Sequence, residues 1–351
     1  MLEGVTLDDT QTRLGYVVPW AKPEYQAQEI NQAGKVLATS KGDVDAALDV
    51  VNNWRACHSF PLNIFQLGLR HRASRALVAQ RLKRVSSMIA KLQREPDMRL
   101  SQMQDIGGCR AVLDSIAAVH RLRDSYLTSR IKHKLVKQKD YIAEPKDSGY
   151  RSIHLVYRYF SSRNGTWNGM KIEIQLRSRL QHAWATAVET VGTLLGEALK
   201  ASEGSKEWLT FLTLTSSAFA LLEKTPVVPG CPEAADELKY VIRGLASRLK
   251  VQTTLLAYKL ALQMAEGPKF SKAHYFLLAL DHNERKLSVR GFRQRHIAQA
   301  TDETLQAEKR LEGIGSAVLV SVGSMDQLKR AYPNYYQDTD LFLEHLRQVI
   351  D

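Results

Sequence analysis

The chain has 351 residues, of which 44% are hydrophobic and 25% charged; these are ordinary globular values, and they exclude a largely disordered, collagen-like or rod-like molecule. The length points to two or more domains. Forty-nine Lys and Arg against 37 Asp and Glu leave a net charge of +12, an excess that suits a polyanionic partner: nucleic acid, nucleotide phosphates or an anionic surface. Cys57, Cys109 and Cys231 lie too far apart for a CxxC pair or a disulfide framework, and they fit a reducing cytoplasm. The apolar runs Leu212–Leu222 and Thr253–Ala265 fall short of the ~20 residues of a spanning helix, and Lys259 interrupts the second. The acidic start MLEGVTLDDTQTR lacks the basic and apolar parts of a signal peptide. A cytoplasmic protein without a membrane partner is expected.

In chain order, residues 1–60 read as an N-terminal helical region, with apolar side chains at three- and four-residue spacing over Gln26–Thr39 and Val44–Cys57. A third helix is expected from Pro61 through Phe65, Leu69, Ala73 and Leu77. A fourth runs from about Val78 to Arg94 and is closed by Glu95-Pro96. Strands and helices then alternate: a strand at Cys109–Leu113, a helix at Ile116–Leu127, a basic strand at Ile131–Lys137, strands at Ile153–Phe160 and Met170–Leu176, and a long helix from near Arg179. This pattern predicts an α+β core over residues 61–200, a mixed sheet flanked by helices. Residues 201–266 read as a helical extension. Glu266-Gly267-Pro268 marks a boundary before a C-terminal domain over 267–351. That domain reads as a hairpin of Tyr275–Leu280 and Lys286–Phe292, a helix at Ile297–Leu311, a strand at Ala317–Val322, and two short helices with Tyr332-Pro-Asn-Tyr335-Tyr336 between them.

Four clusters carry chemistry. On the expected fourth helix Lys83, Ser87 and Lys91 fall at i, i+4 and i+8 and share one face, flanked by Arg81 and Arg84. Such a row suits a chain of phosphates, or a solvated basic face. Asp105-Ile-Gly-Gly-Cys-Arg110 sets a carboxylate before a glycine pair at the mouth of a strand. Glycines admit a ligand close to the backbone, and the carboxylate either holds Mg2+ alongside phosphates and water or caps a turn. The stretch from Lys139 to His154 places the Tyr150 ring among Lys146, Arg151 and His154. Alternation puts Lys171, Glu173, Gln175 and Arg177 on one strand face and Ile172, Ile174 and Leu176 on the other. Glu173 is thereby a candidate second metal ligand or general base. Arg130, Lys132, Lys134, Lys137 and Lys139 form a basic stripe, suited to a nucleic-acid backbone or to drawing in a charged nucleotide.

The ordered motifs R-x-K-x-x-x-S-x-x-x-K, D-I-x-G-x-R, PK-x-x-GY-x-S-x-H and I-E-x-Q-x-R, within Phe60 to Gly192, resemble those of the RelA/SpoT-type pyrophosphokinases, the alarmone synthetases. The resemblance implies a nucleotidyltransferase-like core that moves the β,γ-pyrophosphate of ATP to a 3′-hydroxyl and releases AMP, with Mg2+ as cofactor. It implies that Arg81, Lys83, Ser87 and Lys91 hold ATP, that Arg110 sandwiches the adenine with Arg81, and that Asp105 and Glu173 are the catalytic, metal-binding pair. Lys146, Tyr150, Arg151, His154 and Gln175 would surround the acceptor. The His-Asp pair of the hydrolase domain found in long family members is missing.

The tail after Phe270 resembles the C-terminal domain of the CapRel fused toxin–antitoxin proteins, a small α/β zinc-finger-like domain without metal. There a Y-x-x-Y motif, matched by Tyr332 and Tyr335, covers the ATP site. This resemblance implies a self-inhibited anti-phage toxin whose own C-terminal domain is the inhibitor. A phage capsid protein would be its trigger and the CCA end of tRNA its acceptor, so that release blocks translation. Ala317–Val322, Leu341, Phe342 and Leu346 are apolar candidates for a partner surface. The alternatives are a small alarmone synthetase making (p)ppGpp from GDP or GTP, an enzyme acting on adenosine nucleotides, and a catalytically inactive RNA-binding module.

Overall fold

The computed structural model describes residues 10–13, 16–194, 204–265, 272–281, 283–284, 286–312, 314–321 and 335–351. The chain forms two compact units: Met1–Tyr141 with Ser152–Ser178, and Ile142–Arg151 with Arg179–Asp351.

In the first unit, β1 (Thr10–Arg13) and β2 (Tyr16–Pro19) form a hairpin. α1 (Ala27–Thr39) and α2 (Val44–Cys57) stand where the apolar spacing predicts. Each has its cap: the Glu29 carboxylate accepts the Gln26 N–H at 2.7 Å, and Asp43 accepts the Ala46 N–H at 3.0 Å. α3 (Ser59–Arg72) follows. The expected fourth helix is then split. Residues 77–82 form β3 (Leu77–Leu82), and only Val85–Arg94 is helical, as α4. The cause is tertiary: Leu77-Val78-Ala79 completes an antiparallel ladder with β4 (Gly107–Leu113), and this pairing outweighs a weak helix preference. Arg81 and Lys83 therefore leave the helical face that holds Ser87 and Lys91. Met88 and Leu92 of α4 close a core with Ile30, Ala33 and Leu37 of α1 and Ala47 and Val51 of α2.

α5 (Ile116–Leu127), β5 (Lys134–Asp140), β6 (Ile153–Arg158) and β7 (Lys171–Ser178) complete the unit. The sheet order is β3-β4-β7-β6-β5; β4 and β7 run parallel and the other pairs antiparallel, so the sheet is mixed as expected. One face, made of Cys109, Ala111, Ile153, Leu155, Tyr157, Ile172, Ile174 and Leu176, is buried, with α3 and α5 packed on the sheet.

The second unit begins with α6 (Arg179–Leu194), α7 (Gly204–Leu222), α8 (Ala235–Arg248) and α9 (Val251–Ala265). β8 (Tyr275–Asp281) and β9 (Lys286–Phe292) form the predicted hairpin. α10 (Ile297–Arg310) and β10 (Gly315–Ser321) extend it to a three-stranded antiparallel sheet in the order β10-β8-β9. This sheet, backed by α10, gives no support to a zinc-finger-like fold. Gly267-Pro268 and Tyr332 lie outside the described residues. Tyr335 opens one 16-residue helix, α11 (Tyr335–Ile350), instead of preceding a short one.

Leu343 packs with Phe342 and Leu346, both 0% exposed, in a core shared with Leu180, Trp184, Phe211, Phe219, Leu238 and Ile242. Phe342 and Leu346 are therefore core residues, and the expectation that they offer a partner surface is corrected. The apolar stripe of α11 is consumed by α6, α7 and α8. A polar bond locks the same helix: the Asp338 carboxylate accepts from Thr186 Oγ1 at 3.2 Å and lies 3.3 Å from His182 Nε2. Removing one member of a buried polar group leaves the others desolvated. Asp338→Ala is expected to lower the unfolding free energy by about 3 kcal/mol, read from urea midpoints. Asp340→Ala, which breaks the exposed pair with Lys259, should cost less than about 1 kcal/mol. Equal losses would contradict this division.

Candidate active site on the five-stranded sheet

Residues paired across neighbouring strands share a face. The register pairs Arg81 with Gly108, Gly108 with Glu173, Arg110 with Gln175, Gln175 with His154, and His154 with Lys139. One sheet face thus collects Arg81, Arg110, Glu173, Gln175, His154 and Lys139 from all five strands. The glycine pair divides the work. A Cβ on Gly107 would stand 2.7 Å from Cδ1 of buried Ile172, whereas on Gly108 the nearest atom is the Glu173 carbonyl oxygen at 3.9 Å. Gly107 is a packing requirement; Gly108 leaves open surface on the polar face.

A β-bulge between Leu135 and Lys137 resets the alternation of β5. Lys134, Lys137 and Lys139 pair with Arg158, Val156 and His154, which are alternate residues of β6. An uninterrupted strand would turn Lys134 and Lys137 to opposite faces. With the bulge, three exposed lysines join the face of Glu173. Arg130 and Lys132 are exposed ahead of the strand, and Lys132 Nζ donates to Ser162 Oγ at 3.3 Å.

Asp105 lies at the entry to β4. Lys83 Nζ sits 2.8 Å from one carboxylate oxygen and Lys91 Nζ 3.1 Å from the other. The loss of the common helical face therefore does not separate these two lysines, which reach one carboxylate from the end of β3 and from α4. Burial pushes the Asp105 carboxyl upward, but hydrogen bonds and charge from Lys83 and Lys91 outweigh it and hold the group below its ordinary value. Ser87 is exposed in the first turn of α4, which carries no acid, so that turn is electropositive. Arg55 of α2 fixes the segment by donating from Nε to the Lys83 carbonyl at 2.7 Å. No local pattern marks Arg55, since its partner is 28 residues away.

Glu173 is held from two sides. His154 Nδ1 is 2.9 Å from Oε1, Gln175 Nε2 donates to Oε2 at 2.7 Å, and Arg177 Nη2 donates to the Gln175 amide oxygen at 3.2 Å. Burial raises the Glu173 carboxyl; His154 and Gln175 outweigh it, and the net shift is downward despite an upward push from Asp105. The two carboxylates therefore feel each other while both stay ionised. Such a hard-oxygen pair fits Mg2+, which takes one or two carboxylates and fills its remaining positions with phosphates and water. Among the described residues no group of three or more His, Cys, Asp or Glu forms a fuller metal cage.

Lys146, Tyr150 and Arg151 belong to the second compact unit, apart from His154 and Gln175. Lys146 Nζ stands 5.3 Å from the Tyr150 ring centroid, and the ring is half-buried against the α6–α7 core. Gly149 has φ +85°, its carbonyl accepts Ser216 Oγ at 2.5 Å, and a Cβ there would lie 2.8 Å from Ser216 Cβ. Arg151 is 4% exposed and donates from Nε to Ser216 Oγ at 3.1 Å. Burial lowers its pKa to about 10. The structure thus shows Arg151 as a buried cation of the helical unit.

Residues 80–191 match the sequence model of a family described as a region found in RelA/SpoT proteins. GTP pyrophosphokinase YjbM of Bacillus subtilis is 36% identical over 111 residues, 31% of this chain and 52% of that protein. GTP pyrophosphokinase YwaC of the same organism is 31% identical over 111 residues, 30% of this chain and 52% of that protein. The chain thus spans about half the length of these curated relatives. Among solved structures, small alarmone synthetase 1 from Bacillus subtilis bound to its product pppGpp is 25% identical, with a TM-score of 0.43 over 52% of this chain and 94% of that one.

Because folding depresses both carboxyls, their contribution to stability is complete above the ordinary carboxylate value of about 4 and fades as pH falls through the lower folded-state values. Asp105→Asn is expected to melt below the native protein at pH 7, and the two melting temperatures should converge below about pH 4. A gap that is independent of pH would remove the ionised Asp105 from this account.

Proposed function

We propose that the chain is an ATP-dependent pyrophosphokinase that moves the β,γ-pyrophosphate of ATP to the 3′-hydroxyl at the CCA end of tRNA and releases AMP. The observation that carries the reaction is the pair of coupled, ionised carboxylates Asp105 and Glu173, with Lys83, Lys91, Arg81 and Arg110 around them, inside the region matched to RelA/SpoT proteins. Arg81 and Arg110 hold the adenine from neighbouring strands. Lys83, Lys91 and Ser87 take the phosphates, the lysines sharing their charge between Asp105 and the nucleotide. Asp105 and Glu173 would hold Mg2+, which supplies positive charge to the phosphate oxygens.

The lowered carboxyl pKa of Glu173 supports a charge-holding role. A useful base has a pKa near the working pH, so a carboxylate pushed down is better suited to holding charge. A carboxylate only accepts, so His154 Nδ1 carries the proton toward Glu173. In that tautomer Nε2 is the ring nitrogen that can take the 3′-hydroxyl proton. The bond from the 3′-oxygen to the β-phosphorus forms, the bond from that phosphorus to the oxygen of AMP breaks, and Glu173 stabilises the imidazolium that results.

The three in-phase lysines of β5 support a polyanionic acceptor. Likeness to two GTP pyrophosphokinases supports a second reading, in which GDP or GTP is the acceptor. The Y-x-x-Y spacing of Tyr332 and Tyr335 supports self-inhibition by the C-terminal segment, with release by a phage capsid protein, as in an anti-phage toxin.

With γ-labelled ATP, label should enter bulk tRNA. Asp105→Asn and Glu173→Gln should each slow it by about 10²-fold or more. Changing Lys134, Lys137 and Lys139 together to Gln should slow transfer to tRNA about tenfold, with little effect on any transfer to GDP. Label confined to guanosine nucleotides would replace the tRNA reading with alarmone synthesis. Tyr332→Ala with Tyr335→Ala should accelerate labelling; an unchanged rate would remove self-inhibition.

A further inference from the structure

The β8–β9 hairpin brings together two short segments that are distant in sequence. Tyr275 pairs with Phe292, and the His274 N–H donates to the Phe292 carbonyl at 2.7 Å. Lys272 and His274, ahead of β8, therefore stand beside Arg293, Gln294 and Arg295, which follow β9. A short 3-10 turn over Gln294–His296, with the His296 N–H on the Arg293 carbonyl at 2.9 Å, bends the second segment around the hairpin's open end. These five residues line a hollow of about 700 Å3, and all five are exposed.

The chemistry of the hollow is one-signed. Lys272, Arg293 and Arg295 are cationic, His274 and Gln294 offer polar nitrogens, and among the described residues no lining residue is acidic. A solvated protein face usually mixes signs, as nearby, where Arg290 is paired with Glu303 at 2.6 Å. Among the described residues no ion pair neutralises Lys272, Arg293 or Arg295; Arg295 Nε instead donates to His296 Nε2 at 3.1 Å. Among the described residues the lining has no Phe, Tyr, Trp or aliphatic side chain. The described lining gives an acyl chain no aliphatic side chain to bury against, whereas its arginine forks suit phosphate oxygens, and the His274 ring and the guanidinium planes can also stack on a base. Arginine forks and a lysine in a broad, open hollow fit successive phosphodiesters.

We infer that this hollow on the C-terminal sheet is a binding site for the phosphodiester backbone of RNA. The assignment does not depend on which acceptor the five-stranded sheet serves.

The test uses the full chain without ATP, fluorescein-labelled bulk tRNA, and anisotropy at several salt concentrations. The variant Lys272→Gln, Arg293→Gln, Arg295→Gln should bind at least about tenfold more weakly at 0.1 M salt, and the slope of log affinity against log salt should shrink by about 2 to 3. Gln294→Glu, a single exposed change that places a negative charge in the hollow, should weaken binding several-fold and keeps the test valid if the triple variant fails to fold. Arg293→Lys with Arg295→Lys should keep most of the affinity and the salt slope. Native affinity and slope in both the triple variant and Gln294→Glu would overturn the assignment. So would tRNA binding that survives these changes while binding to phosphatidylglycerol vesicles is lost, since the hollow would then be a lipid-headgroup site.

Discussion

Glu173 must stay ionised although the Asp105 charge raises its proton affinity, and much of the first unit answers to that constraint. Asp105 is neutralised by one lysine just past β3 and one on α4, so its ionisation depends on the α1–α2–α4 core that seats α4 and on the Arg55 bond that anchors Lys83. Glu173 is treated differently. It meets no full cation but a histidine, an amide and, one step removed, a guanidinium. The first arrangement supplies charge; the second supplies orientation.

Sheet register does what no single motif can. The face that carries Glu173 is assembled from five strands whose sequence order is not their spatial order, with the parallel β4–β7 pair at its middle. The bulge in β5 then adds lysines whose linear spacing, two and three residues apart, would have dispersed them across both faces. The face also has a gradient. Arginines and the lysine-bound Asp105 lie toward β3, and exposed lysines lie toward the edge strand β5.

What could be read from the residues follows how local each cause is. α2, α5 and the β8–β9 hairpin have boundaries close to those expected, because spacing and turn residues specify them within the segment. The polar face of β7 was legible for the same reason: strict alternation with isoleucines leaves Glu173 and Gln175 no other side. β3 was not legible, since Leu77–Leu82 becomes a strand only by pairing with residues about 30 positions later. Arg151 shows what a local motif leaves out. It sits in a motif dense with ligand-binding residue types, and it is also buried and bonded to Ser216, on a helix far along the chain. The apolar face of α11 was visible as apolar, but composition cannot say whether such a face waits for a partner or already has one.

The Thr186–Asp338 bond joins residues 152 positions apart. At the usual 5–20 residues per second of synthesis, about 8 to 30 seconds pass between the emergence of α6 and that of the helix that covers it. The five sheet strands are complete by Ser178 and precede all of this. A nascent chain therefore presents the polar face of its sheet while α6 still carries an uncovered apolar stripe. In the cell this interval makes order of synthesis, and whatever shields that stripe meanwhile, part of how much folded protein accumulates.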